Sequence, residues 1–136
     1  MDGVAYSFDI DWKNRIMRCR LHGRVTDEDL NGFYRTAHEL SSRIQPRAGV
    51  IDSSEASSFD VSPRTIREHA RLAPASPDPK FPRIIIAPTP ETYGLARMFE
   101  LQGEGMHPNL HIVRDQQEAW EILGVQNPRF EPLALE

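Results

Sequence analysis

Residues 84–91 read Ile84-Ile85-Ile86-Ala87-Pro88-Thr89-Pro90-Glu91. The first four form the most apolar run in the chain. A short apolar run bounded by proline reads as a central strand, buried on both faces. A helix start follows: Thr89 supplies a capping oxygen, Pro90 suits the first helical position, and Glu91 favours the positive end of the helix dipole. A buried strand leading into a helix is the repeating unit of a parallel α/β sheet.

The same unit recurs on either side. Gly49-Val50-Ile51-Asp52 reads as a buried parallel strand that ends in an acid. Residues 53–59 are small and polar and read as a loop. Ser62 and Pro63 then start a helix that packs Ile66 and Ala70 and runs to about Leu72 or Ala73. Pro74, Pro77, Pro79 and Pro82 make a stiff surface connection. Beyond the apolar run, Tyr93, Ala96, Met98, Phe99 and Leu101 populate the next helix, which Gly103 and Gly105 stop. Leu110 to Val113 is a last strand. Asp115 caps a last helix that carries Ala119, Trp120, Ile122 and Leu123 and ends at Gly124.

Upstream, the signals differ. Tyr6 to Ile10 alternates apolar and polar residues, a turn follows, and residues 16–22 alternate again. Met17, Cys19 and Leu21 share one face; Arg18, Arg20 and His22 share the other. Two half-buried strands joined by a turn predict an antiparallel hairpin, which Gly23 closes. Thr26 with Asp27, Glu28 and Asp29 then starts an amphipathic helix through Leu30, Phe33, Tyr34, Ala37, Leu40 and Ile44, and Pro46 ends it. The order is β-β-α-β-α-β-α-β-α. It predicts an α/β fold with a mixed, mostly parallel sheet after an N-terminal β-hairpin and four helices, as one domain over residues 1–125 with a C-terminal tail over 126–136.

Composition limits the function. The chain has 136 residues, and 16 basic against 20 acidic side chains give −4. That balance argues against nucleic acid, which selects a basic stripe. No apolar run approaches the ~20 residues of a membrane span. The single cysteine, Cys19, excludes an internal disulfide, and Met1 to Val4 lacks a signal-peptide start. These features predict a cytoplasmic protein. The terminal Leu135-Glu136 reads as a candidate cloning scar.

Two segments carry a resemblance to a known family. Val50-Ile51-Asp52-Ser53 resembles the strand that ends in Asp before the switch loop of SpoIIAA-like (STAS) domains. Asp60-Val61-Ser62 stands where that family has Asp-Ser-Ser at the start of its second helix. The resemblance spans about Tyr6 to Gly124 and implies the STAS fold of the anti-sigma-factor antagonists and of sulfate-transporter cytoplasmic domains. It also implies a regulatory, protein-binding role in which Ser62 is the phosphorylated residue. Val61 replaces the family's middle serine, and Pro63-Arg64-Thr65 replaces its Gly-Leu-Gly. Tyr93 to Phe99 is similar to a segment of uncharacterised STAS/SEC14-type bacterial proteins, which implies a lipid-like ligand as the alternative.

Read as chemistry, a phosphate on Ser62 would lie at a helix N-terminus with Arg64 and Arg67 nearby, whereas an unmodified Ser62 is a plain N-cap. Asp52, Ser53, Ser54 and Asp60 join Arg64 and Arg67 as a candidate partner or ligand loop at the carboxyl ends of the strands. Tyr93, Arg97 and Met98 are the candidate lining of an apolar pocket; at helical spacing they also read as plain core. The five histidines have no metal-ligand spacing, and no cofactor is implied. No base, nucleophile and orienting group stand together, so the prediction is a non-enzymatic domain with a protein partner. An antiparallel edge strand near the N-terminus offers a route to a homodimer.

Overall fold

The computed structural model describes residues 5–74, 78, 80–103 and 105–134. The readings of Met1 to Val4, Pro77, Pro79 and Leu135-Glu136 lie outside the described residues. The elements are β1 (Tyr6–Asp11), β2 (Ile16–Thr26), α1 (Asp27–Ile44), β3 (Ala48–Asp60), α2 (Pro63–Ala70), β4 (Arg83–Ile86), α3 (Pro90–Gln102), β5 (Leu110–Val113), α4 (Gln116–Leu123) and β6 (Glu131–Pro132). They form one mixed sheet in the order β5-β4-β3-β2-β1-β6. β2 to β5 pair in parallel, and β1 runs antiparallel to both of its neighbours.

The helix starts follow from local chemistry. Thr26 and Asp29 form a reciprocal capping box on α1, and Thr89 and Thr92 do the same on α3. Ser62 and Asp115 each accept a hydrogen bond from the amide three residues on. α4 ends at Gly124 with φ +69°, a left-handed cap that glycine adopts without steric cost.

Two expectations are corrected. β2 does not close at Gly23, and residues 53–59 are not a loop: β2 continues to Thr26, and β3 continues beside it to Asp60. The register slips between Arg20 and His22 and again between Gly23 and Arg24, so β3 carries two extra residues. Gly23, at φ +69°, supplies the left-handed backbone next to the second slip. The small polar side chains of β3 mark bulged, half-solvated strand, a state whose composition resembles that of a loop.

The expected exposed edge at β1 is also corrected. Glu131 and Pro132 pair with Ile10 and Asp9, and Leu133 N–H donates to the Phe8 carbonyl. The chain's own last segment thus covers part of the strand that was the candidate dimer edge.

The sheet carries a core on each face. On one face Tyr6, Phe8 and Ile10 meet Met17, Cys19 and Leu21 beneath Ala37 and Leu40 of α1. On the other, Val50, Ile84, Ile86 and Val113 pack against Ala119 of α4, with Trp120 and Phe130 alongside. Cys19 is inert in this setting, because burial and the nearby Asp9 push its thiol pKa well up.

The second face also holds a charged pair. Asp9 stands opposite Arg18 across the hairpin and accepts two of its hydrogen bonds, at 3.0 and 2.8 Å. The Arg18 side chain is 13% exposed and that of Asp9 only 5%. The Phe130 ring lies 4.0 Å from the Arg18 guanidinium carbon. Asp9→Ala leaves this cation without its counter-charge, and we expect a loss of about 3 kcal/mol in urea unfolding. The joint replacement of Asp9 by Leu and Arg18 by Met should recover most of it. A single-variant loss below ~1 kcal/mol would show that the pair is solvated and does not hold the hairpin.

Candidate functional site

A partly open cavity of about 170 Å³ lies between the first face of the sheet and helices α1, α2 and α3. Its floor includes Met17, Cys19, Gly49, Ile51 and Ile85, and its roof includes Phe33, Ile66 and Phe99. Small inward side chains create it. Gly49 leaves room for the Phe81 ring, which lies 3.3 Å from where a Cβ would stand, and Cys19, Ala37 and Ala96 contribute little. Large residues at these positions would close the space.

The polar lining is sparse. The Ser53 hydroxyl donates to the Ile86 carbonyl at 2.6 Å. Thr92 belongs to the α3 capping box, the Tyr34 hydroxyl donates to the Ala73 carbonyl, and His69 meets the Asn31 side chain at 2.7 Å. These groups are satisfied within the protein.

His107 bridges Ala70 and Arg83. His107 Nε2 lies 3.0 Å from the Ala70 carbonyl and Nδ1 lies 2.7 Å from an Arg83 guanidinium nitrogen. A carbonyl only accepts and a guanidinium only donates, so the imidazole carries its proton on Nε2 and is neutral. Burial and the Arg83 charge both hold its pKa below the ordinary 6.5. Gly103 makes the approach feasible, because a Cβ there would stand 3.1 Å from the Ala70 carbonyl oxygen and 3.2 Å from the His107 ring.

The sequence candidates are distributed around this cavity. α3 meets it through Thr92, Leu95, Ala96 and Phe99, one helical stripe. Tyr93, Arg97 and Met98 occupy other stripes and are not among the lining residues. Arg97 is ion-paired with Glu100, and the Tyr93 ring carries the Arg114 guanidinium at 4.5 Å.

The candidate loop residues divide between two places. Asp52 is buried on the second face and accepts from the Ser54 amide, the Ser54 hydroxyl and Gln116 Nε2, at 2.9, 2.6 and 3.3 Å. Ser53 points the other way, into the cavity lining. Asp60 is roughly 25 Å further along β3 at strand spacing and pairs with Arg24. Arg64 pairs with Glu68, and Arg67 is exposed. Ser62 caps α2 through the Thr65 amide at 3.1 Å, and its own amide donates to Asp27 of α1 at 2.9 Å. That bond is the largest cause of the lowered Asp27 pKa.

Two residues of this region were missed in the sequence. Arg83 precedes the apolar run and shares the face of Ile85 by strand alternation, so its position was legible once the strand was placed. His107 lies beyond α3 in a turn, and its partner carbonyl belongs to Ala70, so no local pattern announces it. No protein-family model matches the chain, and no curated protein matches it at a significant level.

Proposed function

We propose that the chain is a non-enzymatic, STAS-like module whose cavity takes a small apolar ligand. The observation that carries this reading is a space of about 170 Å³ with a mostly apolar wall and one partly open side. An apolar cavity of ~150 Å³ is large enough to take up benzene. The leading hairpin, the sequential strand order and the Ser62 cap at the start of α2 support the STAS-like architecture. The neutral probe 1-hexanol tests the ligand reading. At a tenfold excess over its Kd it should stabilise the wild type by about 1.4 kcal/mol. Ala96→Leu, which fills the space from α3, should fold and lose this effect. Equal stabilisation of both proteins, or of neither, would remove the cavity as a binding site.

The contact between Ser62 and Asp27 favours a second reading, the phosphorylation switch. A phosphate on Ser62 would bring nearly two negative charges beside the Asp27 carboxylate and separate α2 from α1. A protein partner docked on α2 would then be released. Ser62→Ala should cost about 1 kcal/mol through the lost cap. Ser62→Asp keeps a capping carboxylate but sets it against Asp27, and adding Asp27→Asn should rescue the Asp variant alone. Equal rescue of both variants in chemical denaturation would rule out repulsion as the device.

A further inference from the structure

Resting on the ligand reading above, we propose that the cavity selects a small apolar monocarboxylate, its carboxylate paired with Arg83 and its tail between the sheet and helices α1 to α3. The charge inventory of the cavity leads there. Arg83 lines it, and no Asp or Glu is among the lining residues. None of the ion pairs among the described residues involves Arg83. Among the described residues the guanidinium makes one hydrogen bond, to neutral His107, which engages one of its five N–H donors. A half-buried guanidinium without a counter-charge is costly, and a bound anion removes that cost.

A second group points the same way. Ser41 is 7% exposed, lines the cavity, and its hydroxyl has no hydrogen-bond partner among the described residues. Buried hydroxyls are ordinarily satisfied, so this one is a polar group beside the cavity that still lacks a partner. Among the described residues the hydroxyls of Ser53, Tyr34 and Thr92 and the ring of His69 have their partners, which leaves the remaining Arg83 donors to meet a guest.

Carboxylate suits Arg83 better than a neutral head group. The guanidinium fork matches the two oxygens in a plane, and such charge-assisted bonds are about twice as strong as neutral ones. The hydrogen bond from His107 to Ala70 holds the imidazole that orients the guanidinium. The size of the cavity sets the tail, a ring or chain of about six carbons by comparison with benzene in ~150 Å³.

Hexanoate and 1-hexanol share a tail and differ in the head, so calorimetric titration of the wild type with each separates the two readings. Hexanoate should bind at least about tenfold more tightly than hexanol, since a charged hydrogen bond replaces a neutral one. Arg83→Met should abolish that preference. Arg83→Lys should retain part of the preference. Binding of both probes with equal affinity would overturn the carboxylate assignment and leave the apolar site standing. Binding of neither would overturn both. A hexanoate preference that survives in Arg83→Met would place the anion elsewhere and overturn the assignment to Arg83.

Discussion

The register of the β1–β2 hairpin is the constraint on which the rest depends. Asp9 stands opposite Arg18, and Phe8 opposite Cys19. Side chains alternate along a strand, so a slip of one residue would exchange the two faces of the sheet. Arg18 and Arg20 would then face α1, and Met17, Cys19 and Leu21 would face the charged side. The buried ion pair fixes one register and the apolar core beneath α1 fixes the same one. β3 inherits this choice through its parallel pairing with β2, and β4 and β5 inherit it from β3. The position of Arg83 beside Gly49 on the cavity floor is thus a consequence of a hairpin two strands away.

The helix starts were legible because their signals are local, whereas α2 ends at Ala70, short of the expected Leu72 or Ala73, and leaves Leu72 exposed. Thr26, Ser62, Thr89 and Asp115 each cap the helix that their sequence predicts, and Gly124 ends the last one. The alternation of residues 16–22 gave the two faces of β2 correctly. The second half of β3 was not legible. Ser53 to Ser58 has the composition of a loop, and it is a strand because β2 extends beside it, with two bulges absorbing the mismatch. The pairing of Pro132 and Glu131 with β1 depends on contacts more than a hundred residues apart in the chain and has no local signature.

The candidate site divides along the same line. The stripe of α3 that faces the sheet follows from Thr92 and Ala96, both buried, and a choice by aromatic content alone selects Tyr93 instead. Ser62 was found because capping is written in adjacent residues. The cavity was not, because it is a deficit: it arises where Cys19, Ala37 and Ala96 converge from three separate elements. Arg83 acquires meaning only against that deficit, as a cation in an apolar wall. Elsewhere in the sheet the protein neutralises its half-buried arginines, as Asp9 does for Arg18 and, at 3.5 Å, for Arg20. The contrast with Arg83 is what connects the fold to the proposed function.

The most direct measurement is a methyl-resolved NMR titration of the wild-type protein with hexanoate. The two cores lie on opposite faces of one sheet, so each serves as the control for the other. The account predicts saturable shifts at Ile51, Ile66, Ile85 and Leu95, which line the cavity, with Ile16, Ile86, Val113 and Leu123 on the second face left in place. Shifts confined to the second face, or spread evenly over both, would contradict it.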